Sequence, residues 1–150
     1  MPDLMSHLLI GLILAEMLNV KKKSIVVLGA LVPDILAKIH LAYFYVGIEQ
    51  PLTFVHFHTP LMAFLLSVVI APLFQYKMFT TILYFNMGSI SHFLADFPIK
   101  HFTEVGTIFF FPFSTKGYTL NWVWPEQSIY IFITTLLVYL LIKAVKAKNL

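Results

Sequence analysis

Residues 79–97 read F-T-T-I-L-Y-F-N-M-G-S-I-S-H-F-L-A-D-F and are followed by Pro98. The stretch is apolar enough for a membrane helix, yet it carries His92 and Asp96 near its end. An ionisable side chain is costly in hydrocarbon, so such residues normally face a protein interior or a water-filled cavity. Residues four apart share one face of a helix, with Cβ atoms about 5–6 Å apart. The stretch therefore predicts a membrane helix with a polar face whose two side chains can reach a common ion.

The composition of the whole chain also favours a membrane protein. Of the 150 residues, 59% are hydrophobic, 11% are charged and none is cysteine, whereas an ordinary soluble domain has about 25% charged residues. All ten basic residues are lysine, which argues against sequence-specific nucleic-acid binding because arginine makes the usual bidentate contacts. Without cysteine, histidine and carboxylate remain as the strong metal ligands.

Five apolar stretches predict an all-α fold, a polytopic membrane bundle of four to five helices. The stretches are 4–20, 24–46, 59–76, 79–97 and 128–142. The first is short, and a cleavable signal peptide is the alternative; its lysines follow the apolar run, which favours a retained helix. Pro33 predicts a kink that aims Asp34 inward, and Pro60 suits the first turn of the third helix. The last stretch has no inward-looking ionisable residue and is predicted to be a membrane anchor.

Residues 99–127 change to aromatic and turn residues, including F-F-F-P-F-S and W-V-W-P. Tyr and Trp favour the headgroup zone, so this loop is predicted to lie at the membrane surface, where it can cover a site. We expect one integral-membrane domain over 1–150. Its motif-bearing core is 1–115, and 116–150 holds the aromatic loop and the anchor.

Lysine placement predicts the topology, because cytoplasmic loops carry the excess of positive charge. Seven lysines fall on one side of a five-helix arrangement and three on the other. The N-terminus is therefore expected outside and the C-terminus in the cytoplasm. Three histidines and two aspartates then lie in the outer half of the membrane, on four different helices. They are His7, Asp34, His58, His92 and Asp96.

Each of these residues, taken alone, has a structural alternative. His92 could hydrogen bond to Asp96, Asp34 could be satisfied by backbone groups freed at Pro33, and His58 could cap the helix that follows it. The set favours a shared metal site, because zinc takes such mixed nitrogen and oxygen ligands.

The motifs M-P-D-L-M-S-H-L-L-I-G, G-A-L-V-P-D, F-H-T-P, G-S-I-S-H-F-L-A-D and F-P-F-S follow one another over about residues 1 to 115. In this order they resemble the membrane-bound metal-dependent hydrolases, which include LexA-regulated inner-membrane hydrolases. That family is distantly similar to zinc-dependent phospholipase C and P1 nuclease, which have an all-helical core.

The resemblance implies metal-ligand roles for His7, Asp34, His58, His92 and Asp96. Asp96 is the candidate bridge between two ions, and Asp34 is a ligand that can also orient or deprotonate water. The remaining candidates for supporting positions around the ligands are Asp3, His56, His101 and Glu104. The soluble enzymes complete a three-metal cluster with a later H-x-x-x-E helix, which this chain lacks, so one or two divalent ions, as zinc, are expected.

The function predicted from position and resemblance is metal-assisted hydrolysis of a phosphoester or lipid-linked substrate that arrives from the bilayer. Two alternatives stay open. One is a proton- or metal-linked transporter, since intramembrane Asp and His chains also form relays. The other is a structural membrane protein whose metal only holds helices together.

Overall fold

A computed structural model of the chain describes residues 4–46, 57–100 and 107–148, with the backbone alone for residues 39–46. Single 3-10 turns, Ala71–Leu73 and Pro125–Gln127, follow α3 and precede α5. The described residues contain two isolated bridges and no strand, which confirms the predicted all-α class. The five helices are α1 (Leu4–Met17), α2 (Lys23–Val46), α3 (Pro60–Ile70), α4 (Met78–Asp96) and α5 (Ser128–Lys148).

The helices run up and down, so the bundle has two chemically different ends. α2 packs chiefly on α4, α1 contacts α2, α4 and α5, and α3 packs on α4. The histidine end holds His7 at the start of α1 and Asp96 at the end of α4, 3.4 Å apart. The lysine end holds Glu16 at the end of α1, with Lys23 and Lys143 around it. At about 1.5 Å per helical residue, the nine residues from His7 to Glu16 separate the two ends by about 13 Å.

Two glycines bring the backbones of α2 and α4 into contact. A Cβ atom at Gly29 would lie 1.9 Å from the carbonyl oxygen of Phe85, and one at Gly88 would lie 1.9 Å from that of Val26. Only glycine fits at either position. Small residues at a crossing are typical of membrane helix pairs, where close packing replaces the hydrophobic driving force.

Pro33 lies inside α2, and the helix continues through it to Val46. Proline has no N–H group, so the carbonyl four residues earlier, that of Gly29, loses its donor within the helix. Ser89 Oγ on α4 donates a hydrogen bond to this carbonyl at 3.1 Å. The carbonyl group that Pro33 leaves without a donor therefore connects α2 to α4.

α3 begins as predicted, with Pro60 in its first turn. Thr59 has extended backbone angles (φ −134°, ψ 150°), and its side-chain oxygen accepts a hydrogen bond from Met62 N at 3.4 Å. This is the usual geometry of a threonine N-cap. Thr59 is the cap, so the alternative in which His58 caps α3 is wrong, and the imidazole is left for the histidine end.

The described bundle buries both apolar and polar side chains and leaves many large apolar side chains exposed. Val69, Leu73, Phe79 and Leu94 are among the large apolar side chains left exposed, a distribution that indicates an apolar surrounding for the outer surface. The buried polar and charged residues are Ser6, His7, Glu16, Asp34, Thr59, Ser67, Thr81, Ser89, His92, Asp96 and Thr107.

One described helix is long and apolar enough to cross a membrane. It is α5 with its preceding turn, Pro125–Lys148, and α5 buries none of its residues. α1 and α3 are apolar but have 14 and 11 residues, short of the roughly 20 needed for a straight crossing. Length and composition thus support one crossing within the described ranges, where the sequence predicted four to five.

The described part of the aromatic loop folds back on the end of α4. Leu120 N donates to Phe97 O at 2.9 Å, and Lys100 N donates to Val123 O at 2.8 Å. The Phe109 ring packs edge-on against Phe97, with centroids 5.6 Å apart. The loop therefore lies at the histidine end, in agreement with a cover over that end.

Candidate metal centre

Four buried side chains from three helices meet at the histidine end. One ligand atom from each lies within 4.8 Å of all the others. α1 supplies the first residue, α2 the second, and α4 the last two through their i, i+4 spacing. These residues are His7, Asp34, His92 and Asp96.

The backbone of α2 fixes the orientation of His92. Its Nδ1 lies 2.8 Å from the carbonyl oxygen of Ala30. A carbonyl only accepts, so Nδ1 carries the proton and donates, and in the neutral ring Nε2 is left with a lone pair. This Nε2 lies 3.4 Å from Asp96 Oδ2 and 3.9 Å from Asp34 Oδ1. The helix crossing thus presents an unprotonated imidazole nitrogen to two carboxylates.

His7 closes the opposite side of the centre. Its Nε2 lies 3.4 Å from Asp96 Oδ1, and its ring stacks on that of His92 with centroids 4.0 Å apart and planes at 29°. Asp96 consequently offers one oxygen towards His7 and the other towards His92. This two-sided position suits the bridging role that the resemblance implies for Asp96.

Asp34 divides its two oxygens between the centre and the surface. Oδ2 accepts a hydrogen bond from Lys38 Nζ at 2.8 Å, while Oδ1 faces the centre, 3.6 Å from His58 Nε2. The Asp34 side chain is fully buried and that of Lys38 is one-third exposed. Lys38 therefore orients the Asp34 carboxylate and places a positive charge between the buried centre and the surface.

His58 approaches the four residues from the most open side. Its Nε2 lies 2.8 Å from His92 Nε2 and 3.0 Å from Asp96 Oδ2. Its side chain is 12% exposed, whereas those of Asp34, His92 and Asp96 are fully buried. Phe93 packs edge-on against both imidazoles. His58 is thus the ligand candidate at the mouth of the centre.

Several buried atoms at the centre have no hydrogen-bond partner among the described residues. They are both ring nitrogens of His7, Oδ1 of Asp34 and both carboxylate oxygens of Asp96. Buried polar groups are normally paired, and an unpaired one costs about 1–3 kcal/mol. Histidine nitrogens and carboxylate oxygens that converge in this way are the ligand types that a divalent cation takes. The donor set therefore fits a divalent metal.

The spacing of these atoms fits the same conclusion. Nitrogen and oxygen ligands bind zinc at about 2.0–2.2 Å, which separates neighbouring ligands of a tetrahedron by about 3.3–3.6 Å. The separations from His7 to Asp96, from His92 to Asp96 and from His58 to Asp34 are 3.4, 3.4 and 3.6 Å. The Nε2 atoms of His58 and His92 are 2.8 Å apart, so they would have to move slightly apart to bind the same ion.

The structure brings together all five ligand candidates predicted from the sequence. The alternative of a histidine–aspartate pair at Asp96 stays open, because its Oδ2 lies 3.0 Å from His58 Nε2 and 3.4 Å from His92 Nε2. For Asp34, Lys38 Nζ donates a hydrogen bond to Oδ2, while Oδ1 has no hydrogen-bond partner among the described atoms. The supporting candidates Asp3, His56, His101 and Glu104 lie outside the described residues.

Two features of the centre were missed by the sequence reasoning. The i, i+4 spacing of Asp34 and Lys38 is a visible signal for their ion pair, but the lysine was used only as a topology marker. The Ala30 carbonyl that orients His92 has no signal in the sequence, because its role depends on how closely two helices approach.

Fold and site together define a class: an all-helical membrane protein with a buried histidine–aspartate centre that is able to hold a metal. The chain belongs to the YdjM inner membrane protein family, whose sequence profile matches residues 1–149. No curated protein and no solved structure matches the chain. The family confirms the predicted inner-membrane character, while the similarity to hydrolases and to phospholipase C and P1 nuclease stays a prediction.

Proposed function

We propose that this protein is a membrane-embedded metal-dependent hydrolase that acts on a phosphoester or lipid-linked substrate. The observation that carries the proposal is the convergence of unpaired, buried histidine and aspartate atoms from three helices beside one partly exposed imidazole. Zinc is the metal we infer, as one or two ions, because its usual ligands include histidine and aspartate.

A bound divalent ion would supply acidified water and polarise a phosphoester oxygen. His7, His92 and Asp96 are fully buried, as Asp34 is, and would hold the ion, with the His92 ring oriented by the Ala30 carbonyl. Asp34 presents one free oxygen to the centre and is the residue placed to accept a proton from water. Its other oxygen is held by Lys38, which fixes the direction of the free one.

The surroundings of the centre favour an anionic substrate. Lys38 lies beside Asp34 and is one-third exposed, so its charge is available to a phosphate group near the mouth. Phe93 packs edge-on against His58, and its ring centroid lies 6.5 Å from that of Phe109 in the aromatic loop. Aromatic side chains together with the ammonium group of Lys38 suit an amphiphilic substrate that carries a phosphate.

We infer a polytopic arrangement in which several helices of the bundle lie within the bilayer around α5. The many large apolar side chains on the outer surface support this arrangement. The lysine end carries most of the positive charge, so we place it, with the C-terminus, at the cytoplasmic side and the N-terminus outside.

Hydrolysis by reconstituted protein tests the proposal. Purified protein in liposomes would be loaded with zinc and assayed on bis(p-nitrophenyl) phosphate and on a panel of phospholipids. Loss of the proton acceptor in Asp34→Asn should lower kcat by about 10²–10⁴-fold. The matched control is Asn86→Ala, because Asn86 is a polar α4 residue whose amide bonds to Ser67 Oγ at 2.8 Å and not to the centre.

Two results would contradict the hydrolase proposal. One is equal turnover by wild type and Asp34→Asn. The other is a wild type that holds zinc and hydrolyses none of the substrates, which would favour the structural metal site. A transporter would need ionisable groups that connect the two ends, and in the described part of the chain the metal-ligand candidates cluster at one end.

A further inference from the structure

A second polar site lies at the lysine end, about 13 Å along α1 from the metal centre. It is a cavity of about 560 Å³, which we call the lysine pocket. This volume falls within the range of small-molecule sites. The residues that line the lysine pocket are Glu16, Asn19, Val20, Lys23, Lys143, Lys146 and Ala147.

The lysine pocket is organised around one buried carboxylate. The Glu16 side chain is 4% exposed. Its Oε1 lies 2.5 Å from Lys23 Nζ and 3.4 Å from Lys143 Nζ. Lys146 Nζ lies 3.4 Å from Glu16 Oε2, donates to the Glu16 carbonyl and donates to Asn19 Oδ1 at 2.6 Å. Glu16 thereby gathers ammonium groups from α2 and α5 at the end of α1.

The charges in the lysine pocket do not balance. Three lysines face one glutamate, which leaves a surplus of two positive charges. Each ammonium carries three N–H donors, more in total than one carboxylate accepts. The side chains of Lys23, Lys143 and Lys146 are between 36% and 52% exposed. The surplus donors are therefore available to an anion.

The position of the lysine pocket indicates where that anion comes from. Lys143 and Lys146 lie in the last turns of α5, the described helix able to cross a membrane. Lysines at the end of a membrane helix lie near the headgroups, and clustered lysines attract anionic lipids.

We propose that the lysine pocket binds a phosphate-bearing anion, supplied by an anionic lipid headgroup or as free phosphate. The site is independent of the proposed hydrolysis, because its residues lie at the other end of the bundle.

Titration with soluble lipids tests this site. Purified protein in zwitterionic detergent at about 0.15 M salt, where the Debye length is about 8 Å, would be titrated with dihexanoyl phosphatidylglycerol, dihexanoyl phosphatidylcholine and inorganic phosphate. Lys143→Gln should weaken phosphatidylglycerol binding about fivefold, the equivalent of about 1 kcal/mol for one lysine near an anionic surface. This variant keeps the contacts of Lys23 and Lys146 to Glu16.

Lys77→Gln is the matched control, because Lys77 precedes α4 at the same end, is exposed and does not line the lysine pocket. Binding of inorganic phosphate with the same loss in Lys143→Gln would support a site for free phosphate, and binding of phosphatidylglycerol alone would support a headgroup site. An equal loss in Lys77→Gln, equal binding of phosphatidylcholine, or no binding by the wild type would overturn the proposal.

Discussion

The centre at the histidine end depends on one hydrogen bond from a side chain to the backbone. His92 Nδ1 donates to Ala30 O at 2.8 Å, so the ring directs its Nε2 lone pair at the carboxylates of Asp34 and Asp96. Acceptors that face acceptors are unfavourable unless a cation or a proton lies between them. Metal-free protein should therefore be destabilised at this centre.

Replacement of Asp96 by asparagine tests this imbalance. Asp96→Asn removes a buried charge and brings an amide N–H donor within reach of the unprotonated Nε2 of His92. We expect metal-free Asp96→Asn to unfold at a higher temperature than metal-free wild type, because its free energy of unfolding should rise by about 1–3 kcal/mol. Zinc should stabilise the variant much less than wild type.

Thermal unfolding in detergent, with chelator and with zinc, measures both effects. A lower melting temperature for metal-free Asp96→Asn, together with an undiminished response to zinc, would mean that Asp96 serves as an ordinary hydrogen-bond partner.

Replacement of Lys38 tests the attraction of an anionic substrate. Lys38→Met keeps the unbranched side chain without its terminal ammonium group, so a phosphoester substrate should show a higher KM, by about tenfold, with a smaller change in kcat. Steady-state kinetics with charged and uncharged esters would separate the two effects. The same loss for both ester types would instead assign Lys38 to the orientation of Asp34.

The contact of α2 with α4 is the element that assembles the centre. Gly29 and Gly88 let the two backbones touch, and Ser89 and His92 then reach carbonyl groups of α2. A methyl group at either glycine would separate the helices and withdraw His92 from Ala30.

Gly88→Ala is the variant that measures the importance of this crossing. Its Cβ would lie 1.9 Å from Val26 O, so we expect a loss of about 1–3 kcal/mol in stability from overpacking, together with weaker zinc binding. Ser91→Ala is the control on the same helix, since the Ser91 hydroxyl bonds to Gly88 O within α4. Unchanged zinc affinity in Gly88→Ala would mean that metal binding does not depend on the close contact of α2 and α4.

Much of this arrangement is predictable from the sequence because it depends on local patterns. Five apolar stretches predict the five helices, Pro60 marks the start of α3, and the four-residue spacing puts His92 and Asp96 on one face. The partner of His92 was not predictable, because Ala30 contributes a backbone atom. The hydrogen bond from Ser89 to the Gly29 carbonyl was not predictable either, since its donor comes from a helix more than fifty residues away in the chain.

At the scale of the whole molecule, the two ends of the bundle carry opposite chemistry. The histidine end gathers buried aspartates and imidazoles under an aromatic loop, and the lysine end gathers ammonium groups around Glu16. With α5 in the membrane, the orientation proposed above would put the two ends on different sides, with the lysine end in the cytoplasm.

The absence of native cysteine allows a direct test of this topology. Single cysteines would replace Phe113, which is 95% exposed in the aromatic loop, and Lys148 at the end of α5. An impermeant thiol reagent added to intact cells should label Phe113→Cys, whereas Lys148→Cys should react only after permeabilisation. Labelling of both variants from the outside would contradict the assigned orientation.

Metal content is the measurement that tests the central claim most directly. Detergent-purified wild type, His58→Ala, His92→Ala and the control Asn86→Ala would be analysed by inductively coupled plasma mass spectrometry after zinc loading and desalting. The account predicts one or two zinc ions per chain in wild type and in Asn86→Ala, and loss of zinc in both histidine variants. A wild type without metal, or histidine variants that keep it, would contradict a metal centre built by these helices.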